Sequence, residues 1–391
     1  MKSKNFETLA IRTQLPKTNQ KEHSVPLFLT SSYAFDSAEE AAQLFAGEEQ
    51  GNIYSRYTNP NNDEFAEKMA LLEGAETGVA TATGMAAVYV SFMGLLKSGD
   101  HIVASSAIFG NTFQVITGIL PNFGIEYTLV EVDQNEEWEK ALQPNTKMIF
   151  VETPSNPTLK IADLEYLGNL AKAHGLIFSV DNCFATPYLQ QPTKFGADLV
   201  LHSATKYIDG QGRVLGGAIL GKEEFVTPCF EFLKRTGATL SPFNAWVLSK
   251  SLETLAVRMD RHCSNAEKVL AFLKSHAEVK EVLYPHDVDN PRLDLAKKQM
   301  RYGGGLVGCE VKGGLDRGRR FLNALEMLSL SANLGDTRSI ATHPASTTHS
   351  KLTDEARLAV GITPGFIRFS VGLENAEDII ADIEQALEKS K

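Results

Sequence analysis

Residues 176–207 read LIFSVDNCFATPYLQQPTKFGADLVLHSATKY, and this stretch contains two short apolar runs that each end in polar residues. The runs LIFSVD and DLVLHS have the length and composition of buried β-strands. Similar runs lie on both sides of them: HIVAS from 101, KMIFVE from 147 and GGAILG from 216. Helix-like stretches separate the runs, at 84–97, 111–120 and 162–174. This alternation predicts βαβ units and an α/β fold with a mainly parallel sheet.

The two ends of the chain predict a different organisation. Residues 1–60 have few periodic apolar patterns but contain the string GNIYSRYTNPN, which is typical of an arm that packs on something else. After about residue 255 the strand-like runs become sparse, and a last helix is expected after the N-cap residue Asn375. Its buried face should carry Ile379, Ile380, Ile383 and Leu387. We therefore expect an arm over 1–60, an α/β domain over 61–255 and a smaller α+β domain over 256–391.

Charge and composition exclude several classes of partner. The 391 residues include 38 basic and 48 acidic side chains, for a net charge of −10, so a nucleic acid or an anionic membrane is not the expected partner. The longest near-continuous apolar run, 86–96, is far shorter than the roughly 18 residues that cross a bilayer, and the start of the chain lacks a signal-peptide pattern. The four cysteines show no metal-site spacing, so we expect a cytoplasmic protein with no metal centre.

Two polar residues at the predicted strand exits suggest chemistry. Lys206 directly follows the run DLVLHS and has Ser203 and Thr205 beside it, so it could form a Schiff base while the hydroxyls bind a phosphate. Asp181 ends the preceding run and could hold a pyridinium nitrogen protonated. Taken alone, a solvated surface lysine and an aspartate that caps a turn are the more common interpretations.

Two further motifs could be functional: one could bind an anion, and the other could be only a turn. Gly84 and Met85 lie where a helix is expected to begin, so their backbone N–H groups could face an anion. The string ETPSNP, at 152–157, places Asn156 before a proline at another strand exit. An Asn-Pro step usually marks only a turn, and a cis bond at Pro157 is the other reading.

In their order along the chain, these motifs resemble the cysteine and methionine metabolism family of pyridoxal-phosphate enzymes, which has the aspartate-aminotransferase-like fold (PLP fold type I). The resemblance covers nearly the whole chain. The matching strings are YSRYTNP at 54, ATGMAAV at 82, ETPSNP at 152, VDN at 180, SATKY at 203, HPASTTH at 343 and IRFSVGLE at 367.

The resemblance implies pyridoxal 5′-phosphate as cofactor and assigns roles to these residues. Lys206 would bind the cofactor covalently and move protons, and Asp181 would pair with the pyridine nitrogen. The phosphate would be held by Gly84, Met85, Ser203 and Thr205, joined by Tyr54 and Arg56 of a neighbouring subunit. Asn156 and Arg368 would bind the α-carboxylate of the substrate. The family further implies a homo-oligomer, a tetramer built from dimers.

Departures from the family pattern narrow the activity. The string IFGNTF places Phe109 where members commonly have tyrosine, so this ring can stack on the cofactor but cannot transfer a proton. Asn111 stands where methionine γ-lyases typically have a reactive cysteine. The string ANLG, at 332–335, replaces the Glu-Ser-Leu-Gly of cystathionine γ-lyases and γ-synthases.

Three other strings resemble the O-succinylhomoserine sulfhydrylases: DGQGRVLGG from 209, LSPFNAW from 240 and SANLGDT from 331. The resemblance implies a PLP-dependent transferase that replaces the acyl group of an O-acylhomoserine with sulfide and yields homocysteine for methionine biosynthesis. Asn333 and Arg213 are then further candidates for substrate binding, and Arg213 would favour the carboxylate of a succinyl group over an acetyl group. An ion pair at a subunit interface is the alternative for Arg213. O-acetylhomoserine sulfhydrylase, cystathionine γ-synthase, methionine γ-lyase and a non-catalytic cofactor-binding protein remain alternatives for the chain.

Overall fold

The computed structural model describes residues 4–347, 353, 357–358 and 361–391. Thr348 and His349, at the end of the motif HPASTTH, lie outside the described residues. The strands are β1 (Thr77–Thr81), β2 (His101–Ser105), β3 (Glu126–Val130), β4 (Thr146–Glu152), β5 (Ile177–Asp181), β6 (Leu199–Ser203), β7 (Gly217–Gly221), β8 (Val279–Leu283), β9 (Leu306–Val311), β10 (Ser329–Leu330), β11 (Ile340–Thr342) and β12 (Phe366–Ser370).

The helices of the described residues are α1 (Phe6–Arg12), α2 (Ala38–Ala46), α3 (Pro60–Glu73), α4 (Gly84–Leu95), α5 (Gly110–Gln114), α6 (Asn135–Lys140), α7 (Leu164–His174), α8 (Thr186–Leu189), α9 (Glu223–Thr236), α10 (Pro242–Leu252), α11 (Leu255–Ser275), α12 (Leu293–Gln299), α13 (Gly314–Ala324) and α14 (Ala376–Lys389). A π-helical turn, Val115–Ile119, and a 3₁₀ turn, Leu120–Phe123, continue α5.

Within the described residues, seven strands form a large sheet in the order β1-β7-β6-β5-β4-β2-β3. The pairs from β6 to β3 are all parallel, and β7 is antiparallel to both of its neighbours. This topology confirms the predicted α/β fold with a mainly parallel sheet. Sequence patterns missed β1 and the edge strand β3, because TGVAT is short with little apolar bulk and Glu126 and Tyr127 of β3 are exposed.

Helix α7 shows how the local sequence produces one of the covering elements. Asp163 caps its first turn by accepting the Tyr166 N–H at 3.0 Å, and Gly175 ends it with a φ of 64°. Its apolar face is buried and packs on Ile149 and Val180 of the sheet. That face consists of Leu164, Leu167, Leu170 and Ala171.

A second sheet has the order β10-β11-β12-β9-β8 in the described part of the chain. Its core includes Ile379, Ile383 and Leu387 of α14, as the sequence predicts, while Ile380 is half-buried against the same core. Asn375 caps α14 by accepting the Glu377 N–H at 2.9 Å. Helix α11, which begins at Leu255, lies along the chain between the strands of the large sheet and those of the second sheet. The domain boundary near residue 255 remains a proposal, and this order of elements is consistent with it.

Much of the N-terminal arm is bound to its own chain. Ala10 of α1 is buried in the same core as Phe65 of α3, and the Trp246 indole N–H donates to the Val25 carbonyl at 2.9 Å. In contrast, Leu29 is 71% exposed and Phe45 is 65% exposed. The prediction that this arm contributes to a neighbouring subunit therefore stays a proposal, supported by these exposed apolar side chains.

Two kinds of feature are absent from the described residues. No helix among them is long and apolar enough to cross a membrane. No group of three or more histidine, cysteine, aspartate or glutamate side chains among them is arranged to hold a metal ion. The four cysteines are buried free thiols.

A substitution at Gly168 of α7 would test how tightly this helix packs against the turn that ends at Phe195. A Cβ at this position would lie 2.1 Å from the backbone oxygen of Phe195, in the turn that leads to β6. Gly168→Ala should therefore lower the free energy of unfolding by about 1–3 kcal/mol, measured by calorimetry as a lower unfolding temperature. Gly118→Ala is the matched control, because the nearest atom to its Cβ is the flexible Gln114 side chain at 3.8 Å. Equal unfolding temperatures for the two variants would contradict the packing argument.

Candidate functional site

A cavity of about 450 Å³ lies at the carboxyl ends of β4, β5 and β6, where parallel sheets usually bind ligands. Most of the residues predicted from the sequence line it. They are Gly84, Met85, Phe109, Asn156, Asp181, Ser203, Thr205, Lys206 and Arg368. The structure therefore brings together side chains that are up to 284 positions apart in the chain, from Gly84 to Arg368.

A second cavity, of about 490 Å³, lies between residues 158–161 and the region of β8. Its lysines are paired with carboxylates: Lys160 lies 3.2 Å from Asp133, and Lys274 donates to Asp287. It contains none of the predicted site residues. The smaller cavity is therefore the candidate functional site, because it contains most of the predicted residues, whereas the lysines of the larger cavity are already paired with carboxylates.

Lys206 lies just beyond β6 and is half-buried in the cavity wall. Its Nζ donates to Oδ1 of Asn333 at 2.6 Å. Burial lowers the pKa of Lys206, and the nearby Arg368 cation acts in the same direction. The neutral amine, which is the form that acts as a base or nucleophile, is therefore easier to reach than in water.

A buried and a half-buried carboxyl group lie side by side at the strand ends, because Glu152 of β4 is the register partner of Asp181 of β5. Asp181 accepts the Cys183 N–H at 3.0 Å, and burial raises the pKa of Asp181 to about 6. Glu152 accepts the Phe109 N–H at 2.6 Å. Burial and then the charge of Asp181 raise the pKa of Glu152 well above its usual range.

Sequence reasoning did not single out Glu152, although it quoted the motif ETPSNP that begins with this residue. The available signal was its position as the last residue of an apolar run, which is the same position that Asp181 occupies in the next strand. Only the pairing of β4 with β5 shows that the two carboxyls are neighbours.

The N-terminus of α4 forms part of the cavity wall, next to Ser203. Thr83 caps the helix by accepting the Ala86 N–H at 2.9 Å, whereas the first N–H groups of a helix, here of Gly84 and Met85, have no acceptor within it. A Cβ on Gly84 would lie 2.5 Å from Cβ of Ser203. Glycine therefore allows the helix N-terminus to lie close to Ser203. The free N–H groups of the helix and the Ser203 hydroxyl could then bind the same anion.

Arg368 reaches the cavity from β12 of the second sheet and is 5% exposed. It donates to Oδ1 of Asn156 at 2.8 Å, while its Nε has no hydrogen-bond partner among the described residues. Burial lowers the pKa of Arg368. A buried guanidinium with unused donors is suited to bind a carboxylate.

The remaining predicted residues do not line the cavity in the part of the chain that the structure describes. Tyr54 is 41% exposed, and Arg56 stacks on Tyr57 and donates to the Lys234 carbonyl. Asn333 reaches the site only through Lys206.

Arg213 has a different partner from the predicted substrate. Its Nε donates to Oδ1 of Asp209 at 3.0 Å, and its terminal nitrogen donates to the Asp209 carbonyl and to the Ser251 hydroxyl. Asp209 in turn accepts the Arg213 backbone N–H at 2.7 Å. This guanidinium is thus held within the loop that follows Lys206.

Comparison with known proteins gives matches over nearly the whole chain. Residues 7–388 match the family described as Cys/Met metabolism PLP-dependent enzyme. O-succinylhomoserine sulfhydrylase of Pseudomonas aeruginosa is 46% identical over 382 residues, which are 98% of this chain and 95% of that protein. L-methionine γ-lyase of Fusobacterium nucleatum subsp. polymorphum is 45% identical over 385 residues, which are 98% of each chain.

Two solved structures have the same fold. A candidate O-acetylhomoserine (thiol)-lyase of Campylobacter jejuni, which contains N′-pyridoxyl-lysine-5′-monophosphate, is 40% identical with a TM-score of 0.94, over 98% of this chain and 100% of that chain. Cystathionine γ-synthase of Xanthomonas oryzae pv. oryzae, solved with aminoacrylate and cysteine, is 34% identical with a TM-score of 0.94, over 99% of each chain. Because the similarity extends through both sheets and through the residues around Lys206, this chain belongs to the Cys/Met metabolism family of PLP-dependent enzymes, and its cofactor is pyridoxal 5′-phosphate.

Proposed function

We propose that this enzyme is an O-succinylhomoserine sulfhydrylase, which replaces the succinyloxy group on the γ-carbon of its substrate with sulfide: the Cγ–O bond breaks, a Cγ–S bond forms, and homocysteine and succinate are released. The observation that carries the proposal is the buried Arg368, which lines the same cavity as Lys206 and is hydrogen-bonded there only in part, to Asn156. A cation at this position fits the α-carboxylate of an amino acid. The similarity to the Pseudomonas aeruginosa enzyme and the strings SANLGDT and DGQGRVLGG support the sulfhydrylase branch.

The donor set of the cavity fits pyridoxal phosphate. The α4 N-terminus, with Ser203 and Thr205, would hold the phosphate, and the close approach that Gly84 permits makes room for it at the helix end. Asp181 would hold the pyridine nitrogen, and Phe109 would stack on the ring. When bound, the cofactor supplies an electron sink for negative charge that develops on the substrate carbons.

Arg368 and Asn156 would orient the amino-acid substrate. A guanidinium is planar, so it can bind both oxygens of a carboxylate, and Asn156 fixes its plane through the 2.8 Å hydrogen bond. The two residues come from different sheets, so the carboxylate would be held across the contact between them. This binding would present the Cα–H of the substrate to the lysine.

Lys206 would move the protons. Its lowered pKa favours the neutral amine, which can accept the proton from Cα of the substrate. Phe109 has no phenol to share this task, so the lysine would also return a proton to the carbon chain. Asn333 would aim the amine, because its Oδ1 accepts from Nζ at 2.6 Å.

The active unit in this proposal is at least a dimer, with the tetramer of the family as the expected assembly. Tyr54 and Arg56 lie outside the cavity lining of their own chain, among the described residues, and Leu29 and Phe45 of the same arm are exposed. A neighbouring copy would bring Tyr54 and Arg56 to the phosphate.

Methionine γ-lyase is the second candidate, because several relatives at 43–45% identity have that name. Asn111 lines the cavity where those enzymes typically have a cysteine, and this difference favours replacement over elimination.

Steady-state rates with several donors test the proposal. O-succinyl-, O-acetyl- and O-phosphohomoserine, each with sulfide or cysteine, and methionine alone should be compared by product analysis. We expect the highest kcat/KM with the succinyl donor and sulfide, with homocysteine as the product. Lys206→Ala is the control that should lose turnover. A higher kcat/KM with methionine alone would assign the chain to the γ-lyases.

Arg368→Lys tests the carboxylate site. Lysine cannot reproduce the two-point contact, so KM for every amino-acid substrate should rise by about tenfold or more while the absorbance of the bound cofactor stays. Arg317→Lys, a buried arginine that pairs with Glu278 outside the cavity, is the matched control. Unchanged KM in Arg368→Lys would move the carboxylate site elsewhere.

Arg213→Ala separates a donor-selecting role from a loop-ordering role. Because the guanidinium is paired with Asp209, we expect the ratio of kcat/KM for succinyl and acetyl donors to change by less than about twofold. The unfolding temperature should fall slightly, since the loop loses its hydrogen bonds to Asp209 and Ser251. A drop of about tenfold in the donor ratio would instead restore Arg213 as the residue that binds the succinyl carboxylate.

A further inference from the structure

A fully buried polar network lies behind the cavity floor. Glu73, the last residue of α3, and His202 of β6 have no exposed surface, and Oε2 of Glu73 lies 2.8 Å from Nε2 of His202. The other carboxyl oxygen of Glu73 accepts from the Asn182 amide at 3.2 Å. A carboxyl group in this position is satisfied on both oxygens without contact with solvent.

The network continues to the end of a third strand. Asn182 donates to the Gln190 carbonyl at 2.8 Å and accepts from the Gln190 amide at 3.0 Å. The same amide group donates to the Thr153 carbonyl at 2.9 Å. The chain of hydrogen bonds thus joins α3 to the ends of β4, β5 and β6.

Each strand position in the network is next to a residue of the cavity. Thr153 follows Glu152, Asn182 follows Asp181, and His202 precedes Ser203. Successive side chains of an extended segment point to opposite faces, so the network holds the reverse side of the same backbone that presents the cavity residues. His202 also acts on Asp181 electrostatically, lowering the pKa of Asp181 against the larger, raising effect of burial.

We propose that Glu73, His202, Asn182 and Gln190 are positioning residues that hold Asp181 and Ser203 in place and thereby set how tightly the enzyme retains pyridoxal phosphate. None of them contacts the cavity; they act through the strand ends. The proposal does not depend on which acyl donor the enzyme uses. Its alternative is a network that contributes to the stability of the whole chain and has no particular effect on the cofactor.

His202→Asn tests the network, because the asparagine amide reaches only to the position of Nδ1 and removes the His202 contact to Oε2 of Glu73. The matched control is His101→Asn. His101 is also fully buried and hydrogen-bonded, to Thr146 and Thr128, but it begins β2 at the opposite edge of the sheet. The same chemical change is therefore made near the cavity and far from it.

Titration of the full-length apoenzyme with pyridoxal phosphate measures the dissociation constant, and visible circular dichroism reports how the bound cofactor is held. We expect His202→Asn to raise the dissociation constant by about tenfold and to change the dichroism band, while His101→Asn changes the constant by less than about twofold. Equal effects of the two variants, or an effect on the unfolding temperature alone, would overturn the proposal.

Two further variants keep the test decisive if His202→Asn folds poorly. Glutamine places its amide at the position of Nε2, so His202→Gln should recover most of the cofactor affinity. Glu73→Gln combined with His202→Asn should bind the cofactor more tightly than His202→Asn alone, since a neutral amide loses less than a carboxylate when its partner is removed. Failure of both variants to improve on His202→Asn would show that the network does not act through this pair.

Discussion

The parallel pairing of β4, β5 and β6 is the constraint on which the rest of the site depends. Because parallel strands end at one edge, this pairing brings the polar residues of three separate chain segments to a single cavity. The register then sets the chemistry in detail, since it places Glu152 directly beside Asp181. Burial raises the pKa of both carboxyls, and the charge of Asp181 raises the pKa of Glu152 further.

The second sheet completes the site from the other side. Arg368 belongs to β12, yet its nearest hydrogen-bond partner is Asn156, which follows β4 of the large sheet. A buried guanidinium is expensive to desolvate, and a single amide satisfies only part of it. In the function proposed above, a substrate carboxylate would complete its hydrogen bonds and offset this cost.

Buried polar side chains lie on both sides of the strand ends, and they differ in how completely they are hydrogen-bonded. In front of the strand ends, Arg368 lines the cavity, and its Nε has no hydrogen-bond partner among the described residues. Behind them, Glu73 and Asn182 are closed by protein hydrogen bonds, so they favour one backbone arrangement. The residues behind the strand ends are ordered by hydrogen bonds before a ligand binds, while the Arg368 guanidinium in front is only partly paired. A ligand therefore needs to impose less order when it binds.

The sequence by itself determined the kinds of element, the exits of the central strands and the small set of motifs that includes Lys206, Asp181 and Gly84. Apolar periodicity and helix capping are local features, because each is set within a few residues of the chain. Only the tertiary structure decided that Glu152 neighbours Asp181, that Arg368 meets Asn156, and that Arg213 pairs with Asp209 instead of lining the cavity. The first two depend on the pairing of strands and on the packing of one sheet against another. The third depends on the path of a loop, because several acceptors compete for one guanidinium and only their final positions decide which of them binds it.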